Sequence, residues 1–445
     1  MTGLFDLVIK GGTIVNQDGV AAVDIGIAAG RIVHLGNIAR EQAAEVFDAS
    51  GLHVLPGVID SHVHFREPGA EHKEDLESGS RAAVLGGVTA VFEMPNTTPL
   101  TVDEATLADK IARGRGRMHC DFAFYIGATR ENTDDLSRLE MQPGVAGVKV
   151  FMGASTGDLL VEDDASIRAI LAKIRRRVSF HSEDEERLRA RASLREVGRP
   201  HSHSVWRDAE AALLATRRLV ALAHETGKRI HVLHVSTAQE MALLAEHRDV
   251  ASVEVTPHHL TLIAPDIYDR IGNKAQMNPP IRDARHVAAL WEAVRQGVAD
   301  TIGSDHAPHL LEEKAKPYPA SPSGMPGVQT LLPVMLDHVH RGRLSLQRLV
   351  DLTSHGPARI YGIAGKGRIA AGYDADLSLV DLGAAREISD GESASRCGWT
   401  PYAGMRVTGW PAATVVRGHI VMRDGALVRS GVGQPVRFLE ALPRG

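Results

Sequence analysis

The chain has 445 residues, of which 44% are hydrophobic and 24% charged, and a formal net charge of −5. That is ordinary for a soluble globular protein and too long for one ordinary core, so one barrel-sized domain plus a smaller one is expected. No basic tract marks a nucleic-acid partner, an aromatic content of 4% leaves no base-stacking platform, and no apolar run reaches membrane-spanning length.

The N-terminus, Met1-Thr-Gly-Leu-Phe-Asp6, lacks the basic and apolar regions of a signal peptide. Two widely separated cysteines, Cys120 and Cys397, suit a reducing compartment, so a cytoplasmic location is expected. Residues 4–55 read as short strands with Gly-rich turns, which suggests a small antiparallel sheet. From Pro56 the texture changes. Apolar runs at 57–60, 88–92, 121–126, 145–151, 178–180, 230–235, 251–255 and 299–302 alternate mostly with helical patterns, notably at 72–86, 208–226 and 283–296. Strand–helix alternation implies a parallel sheet. Eight repeats within about 300 residues favour a closed (β/α)8 TIM-type barrel over an open sheet. After Gly365 short strands with Asp-Gly and Arg-Gly turns return. The expected division is a small β-sandwich domain from residues 1–55 and 366–445, and a barrel over 56–365. The stretch 310–327, rich in Pro, Ser, Lys and Glu, follows the last barrel strand, where a lid would sit.

Barrel sites form at the C-terminal ends of the strands, so the polar residue ending each run is the informative one. The first run ends in His62-Val-His64-Phe-Arg66. Strand alternation would point His62, His64 and Arg66 the same way, two imidazoles for a metal and a guanidinium for an anion beside it. Others end in Glu93-Met-Pro-Asn96, at His181, at His234 and at Asp305, and Lys149 sits inside Gly-Val-Lys-Val-Phe-Met-Gly. Singly, each has an ordinary reading. A strand-end histidine is more often a hydrogen-bonded rim residue. Lys149 could tilt to a carboxylate at the barrel mouth, Arg66 could pair with Glu67 or Glu71, and Asn96 could shape the turn after Pro95. Jointly, four histidines, a lysine and an aspartate at one end of separate strands share a cavity. Such a donor set suits zinc. A lysine carbamylated by CO2 would supply the anion that bridges a second ion. Two ions sharing a hydroxide make a nucleophile near neutral pH, with Asp305 to carry its proton. The chemistry is metal-assisted hydrolysis of an amide-like bond.

These motifs resemble the amidohydrolase superfamily, and more closely its cyclic-amide branch of dihydroorotases, hydantoinases and allantoinases. The resemblance spans nearly the whole chain. It implies two zinc ions bridged by carbamylated Lys149 and hydroxide, one held by His62, His64, Lys149 and Asp305, the other by Lys149, His181 and His234. Within the branch, His-Val-His-Phe-Arg-Glu-Pro-Gly looks like the dihydroorotase form, in which Arg66 grips a substrate carboxylate that hydantoins and allantoin lack. Asn96, Asn278 and His309 match further substrate positions, and Ser323-Gly324 would offer backbone groups to the ring. Hydantoinases would carry a tyrosine shortly after the bridging lysine, where this chain has Phe151-Met-Gly. Many dihydroorotases of this length have an aspartate near the bridge and no lysine, so the chain looks like a lysine-bridged subgroup. Asp158, Asp163 and Asp164, downstream of Lys149, are not read as ligands. A small-molecule substrate, carbamoyl-aspartate or dihydroorotate, follows, and a homodimer or homotetramer without nucleic acid or membrane is expected. A catalytically silent subunit of the same family would have lost metal ligands, and here every expected ligand type is present.

Overall fold

Eight apolar runs pair side by side, all parallel, in the order of the sequence. They are β1 (Val58–Val63), β2 (Val88–Glu93), β3 (Asp121–Gly127), β4 (Val145–Phe151), β5 (Val178–His181), β6 (Ile230–Val232), β7 (Ala251–Val255) and β8 (Thr301–Ile302). Every residue of these strands is buried, which is why they read as continuous apolar runs rather than alternating ones. The last strand returns to the first. The His64 N–H donates to the His306 carbonyl at 2.8 Å, and Val63 and His306 form a parallel bridge, so the sheet closes as a (β/α)8 barrel. The computed structural model describes residues 4–154 and 159–442.

The helices start where an aspartate can cap them. Asp75 accepts from Ser78 N at the head of Leu76–Leu85, Asp208 from Ala211 N at Ala209–Thr226, and Asp283 from Arg285 N and His286 N at Ala284–Arg295. The helix read from residue 72 therefore begins only at 76. No helix among the described residues is long and apolar enough to cross a membrane.

Both chain ends build a β-sandwich. Its seven-stranded sheet joins Thr13–Asn16, Gly19–Ala22 and His53–Pro56 to Leu377–Glu387, Arg406–Val416, His419–Arg423 and Ala426–Leu427. The seam is antiparallel, with Leu55 opposite Ser378. Phe5–Lys10, Asp24–Ala28, Arg31–Gly36 and Ala43–Asp48 form the second sheet. Leu7, Ile25 and Ile27 pack against Val54, Leu379 and Val415 between the two.

Two C-terminal segments leave the sandwich, which strand patterning gave no sign of. One separates the two long strands and carries Cys397, Trp399 and Tyr402, which pack on Leu262, Tyr268 and Met277 of the barrel. Trp399 Nε1 donates to the His309 carbonyl at 2.8 Å. The other pairs beside β3, where Phe122 N donates to Gln434 O at 3.1 Å and Val436 N to Phe122 O at 2.8 Å.

A buried charge cluster fastens sandwich to barrel. Lys366 Nζ lies 2.6 Å from Asp121 on β3, in contact with Asp376, and 3.6 Å from Asp374; Arg417 Nε also donates to Asp121, at 2.9 Å. Burial alone would pull the ammonium down, but Asp121, Asp376 and Asp374 hold it above its ordinary value. Removing one member of such a cluster strands the rest without water. Lys366→Met is therefore expected to destabilise the fold by about 3–5 kcal/mol in urea denaturation followed by circular dichroism. A loss below about 1 kcal/mol would show that this cluster does not fasten the two parts together.

Candidate metal and substrate site

The open end of the barrel carries a cavity lined by His62, His64, Arg66, Lys149, Phe151 and His181, and completed by His234, Asn278, Asp305, Ala307, Ser323 and Gly324. Ten of the twelve residues singled out in the sequence thus share one cavity. Asn96 and His309 stand behind it, against His64 and Arg66.

The local backbone departs from simple strand alternation. β1 ends at Val63 and β6 at Val232, so His64, Arg66 and His234 lie beyond the strands. Of the six described non-glycine residues with positive φ, three belong to this site: Arg66 at 64°, His234 at 38° and Asp305 at 48°. The left-handed conformation costs of order 1 kcal/mol for such residues and is held by its surroundings. Arg66 therefore reaches the cavity through a turn, not by its parity in the strand.

Three of the four imidazoles are oriented from outside, and His234 Nδ1 has no hydrogen-bond partner. Glu254 on β7 accepts from His62 Nδ1 at 2.7 Å, Asn96 Oδ1 from His64 Nδ1 at 2.8 Å, and Glu183 Oε2 from His181 Nε2 at 2.9 Å. A carboxylate can only accept, so His62 Nε2 and His181 Nδ1 are left as lone-pair donors facing the cavity. Burial pulls His64 down to about 4, and it lowers His181 and His234 as well, favouring the neutral form of each ring.

The donor spacings suit metal ions. His62 Nε2 and His64 Nε2 lie 3.3 and 3.2 Å from Asp305 Oδ1, and His181 Nδ1 lies 3.1 Å from His234 Nε2. Tetrahedral coordination with bonds near 2.0–2.1 Å puts neighbouring donors about 3.3 Å apart. The His62, His64 and Asp305 donor atoms all fall within 4.8 Å of one another. Burial would raise the Asp305 carboxyl, but His62, His64 and His234 hold it well below the ordinary range.

Lys149 decides between its two readings. It is 1% exposed, and its Nζ has no hydrogen-bond partner; it lies only over the Phe151 ring, 4.5 Å from the centroid. No carboxylate receives it. Burial pulls it down to about 7, which leaves a large share as the free amine that reacts with CO2. A carbamate there would be a second anion beside Asp305 among imidazoles, a donor set that fits divalent metal ions.

Arg66 makes no pair with Glu67 or Glu71; Glu67 is taken by Arg117 at 2.7 and 3.1 Å. Its Nε donates to Pro308 O at 3.2 Å, and the guanidinium remains cationic, burial bringing it down only to about 10. His309 Nε2 is 3.0 Å from Ser323 O and 3.3 Å from Arg66 Nη2, and its Nδ1 is 3.3 Å from Lys73 Nζ. A neutral ring with its proton on Nε2 satisfies both the carbonyl and the ammonium. Burial and the neighbouring Arg66 keep it neutral.

Several residues escaped the strand-end survey. Glu254 lies inside an apolar run, Ala-Ser-Val-Glu-Val, where a carboxylate is itself a signal. Its space is shared: a Cβ on Gly303 would come within 2.5 Å of Glu254 Oε2. Lys314 is buried in the stretch first read as a lid. It donates to Pro322 O at 2.8 Å and to Gln276 O and Gly324 O at 3.1 Å, which pins the segments carrying Asn278 and Ser323. That stretch also contains a short helix, Leu311–Lys314. Of the three downstream aspartates, Asp163 caps the helix Asp164–Lys173, Asp164 binds Arg218, and Asp158 lies outside the described residues.

Fold and site together define a barrel hydrolase built around a cluster of imidazoles and carboxylates. A family model described as the amidohydrolase family matches residues 53–421, and the chain belongs to that family. It is 42% identical to a dihydroorotase of Halobacterium salinarum over 86% of this chain and 89% of that protein. It is 37% identical to an allantoinase of Rubrobacter xylanophilus, covering 97% of this chain and 98% of that one. Among solved structures, the L-hydantoinase of Arthrobacter aurescens superposes with a TM-score of 0.92 at 30% identity, covering 97% of this chain and 99% of that one.

Glu254→Gln keeps the shape of the side chain but removes the charge that orients His62. Zinc affinity, measured by chelator competition, is expected to fall about 10- to 100-fold. Unchanged zinc retention would remove Glu254 from the metal site.

Proposed function

We propose that this chain is a dihydroorotase, interconverting N-carbamoyl-L-aspartate and (S)-dihydroorotate in pyrimidine biosynthesis. The observation that carries the reading is Arg66, a buried guanidinium facing the cavity that holds the imidazole cluster. The archaeal relatives at 34–42% identity over most of the chain that bear the name dihydroorotase support it. Similarity to allantoinases and hydantoinases marks the competing substrates.

In this reading His62, His64, Lys149 and Asp305 hold one zinc ion, and Lys149 (as its carbamate), His181 and His234 hold another. When bound, the ions supply Lewis acidity toward the ring carbonyl and an activated water. The chain does the rest. Arg66, with Asn96 and His309 behind or beside it, fixes the substrate carboxylate. Asn278 and the Ser323–Gly324 backbone seat the ring. Orientation converts the encounter into an effectively unimolecular step. In hydrolysis, oxygen adds to the ring carbonyl carbon, the carbon–nitrogen bond breaks, and Asp305 delivers the proton to the departing nitrogen. Closure runs the same steps backwards. The division into a barrel over 56–365 and a sandwich from 1–55 and 366–445 belongs to the same reading, as does a cytoplasmic location.

Assay of the purified chain on carbamoyl-aspartate, dihydroorotate, allantoin, hydantoin and dihydrouracil, with zinc counted per chain, tests the whole proposal. Turnover of allantoin or hydantoin in preference to dihydroorotate overturns it. Arg66→Ala should lower kcat/KM for dihydroorotate at least roughly 10- to 100-fold, mainly through KM, with zinc content unchanged. A normal KM in that variant ends the carboxylate role. Lys149→Ala should lose most activity and part of its zinc, and small carboxylic acids should restore some activity. Full activity with unchanged metal content would refute the bridge.

A further inference from the structure

The opposite end of the barrel, where the strands begin, carries a second cavity. Arg176 and Arg177 directly precede β5, Arg229 directly precedes β6, and Arg359 lies on the helix Gly356–Tyr361; Tyr361 and Glu440 also line the space. Arg176 is committed to the fold. It donates to the carbonyls of Glu140, Val145, Ala146 and Tyr361, and its guanidinium lies 4.5 Å from the Phe438 ring centroid.

The other three keep free edges. Arg177, half-buried, donates once, to Ile230 O at 2.8 Å. Arg359 is exposed and places one nitrogen 2.9 Å from Asp300 Oδ1. Arg229 is exposed, and its guanidinium makes no hydrogen bond or ion pair to the described residues. Counter-charge is short. Asp300 is already shared with Arg248 at 2.7 and 2.8 Å and with the Val253 N–H at 2.9 Å. Glu440 is solvent-exposed and lies 3.8 Å from Arg176 Nε. Burial, then repulsion from Arg229, bring Arg177 down to about 10. Like charges gathered around one concavity, with unused planar donor forks, are a poor arrangement for stability and a good one for a tetrahedral oxyanion.

We propose that this cavity binds a phosphate-bearing anion, held by Arg177, Arg229 and Arg359. It lies at the far end of the strands from the imidazole cluster and does not depend on the reaction assigned there. A carboxylate would use one fork, whereas a phosphate offers oxygens to three.

Calorimetric titration of the full, zinc-loaded chain with orthophosphate at constant ionic strength tests it, with phenyl phosphate as a second arm. Saturable binding is expected, weakened at least about tenfold by Arg229→Ala and further by Arg229→Ala with Arg359→Ala, with turnover unchanged in both. Arg66→Ala should leave the binding intact, which separates this cavity from the substrate site. Equal binding of phenyl phosphate assigns the site to phosphorylated metabolites, and binding of orthophosphate alone assigns it to the free ion. Absence of saturable binding, or binding that survives both arginine variants and disappears in Arg66→Ala, overturns the proposal.

Discussion

The backbone bond from the His64 N–H to the His306 carbonyl, 2.8 Å long, is the constraint on which the rest of the site depends. It joins two segments separated by more than half the chain and turns a row of strands into a ring. Only then do His62 and His64 come within 3.3 Å of Asp305. The other donors follow from the same closure, because parallel strands all end at the same mouth. A site of this kind cannot be built locally. Each donor is cheap for its own strand to present, and their convergence is a property of the ring.

Convergence alone would leave His62, His64 and His181 free to rotate. The structure spends further buried polar groups to prevent this. Glu254, Asn96 and Glu183 each engage the outward nitrogen of one histidine. Glu183 is in turn gripped by Arg207 Nε at 3.1 and 3.2 Å. Burying these charges would be costly if they stood alone, and each is paired. Lys149 stands apart as a buried amine with no hydrogen-bond partner, and His234 Nδ1 beside it has none either. A buried amine without a partner, in a cavity lined by imidazoles and a carboxylate, marks where the folded chain has left room for chemistry.

What was legible in the sequence divides along physical lines. The strands of the barrel show as continuous apolar runs because both faces are buried, and strand ends show because a polar residue interrupts the run. His62, His64, His181, His234 and Asp305 were readable for that reason, and Lys149 because a cation between valines is anomalous. Glu254 carried the same anomaly, but it lies within a run and acts on a ring from another strand. Lys314 and the Trp399 segment were not readable at all, since their partners are backbone carbonyls of distant loops, which no side-chain pattern records. The left-handed turns at Arg66, His234 and Asp305 were hidden too, because none of these residues is a glycine.

Those turns sharpen the meaning of Arg66. A residue that merely capped the barrel rim would take the relaxed extended backbone and a nearby carboxylate, and Glu67 and Glu71 were both at hand. Glu67 instead pairs with Arg117, while Arg66 adopts a left-handed conformation and turns inward with one edge on Pro308 O. Behind it stands a ring kept neutral, and Asp305 and Glu93 attract the guanidinium from a distance without an ion pair to it. A buried guanidinium with no ion pair of its own gains full compensation when an anion arrives in the cavity. Neutral cyclic amides give no such compensation. The arrangement therefore favours a substrate that carries its own carboxylate, and it ties recognition to the arrival of that charge, not to the shape of the ring.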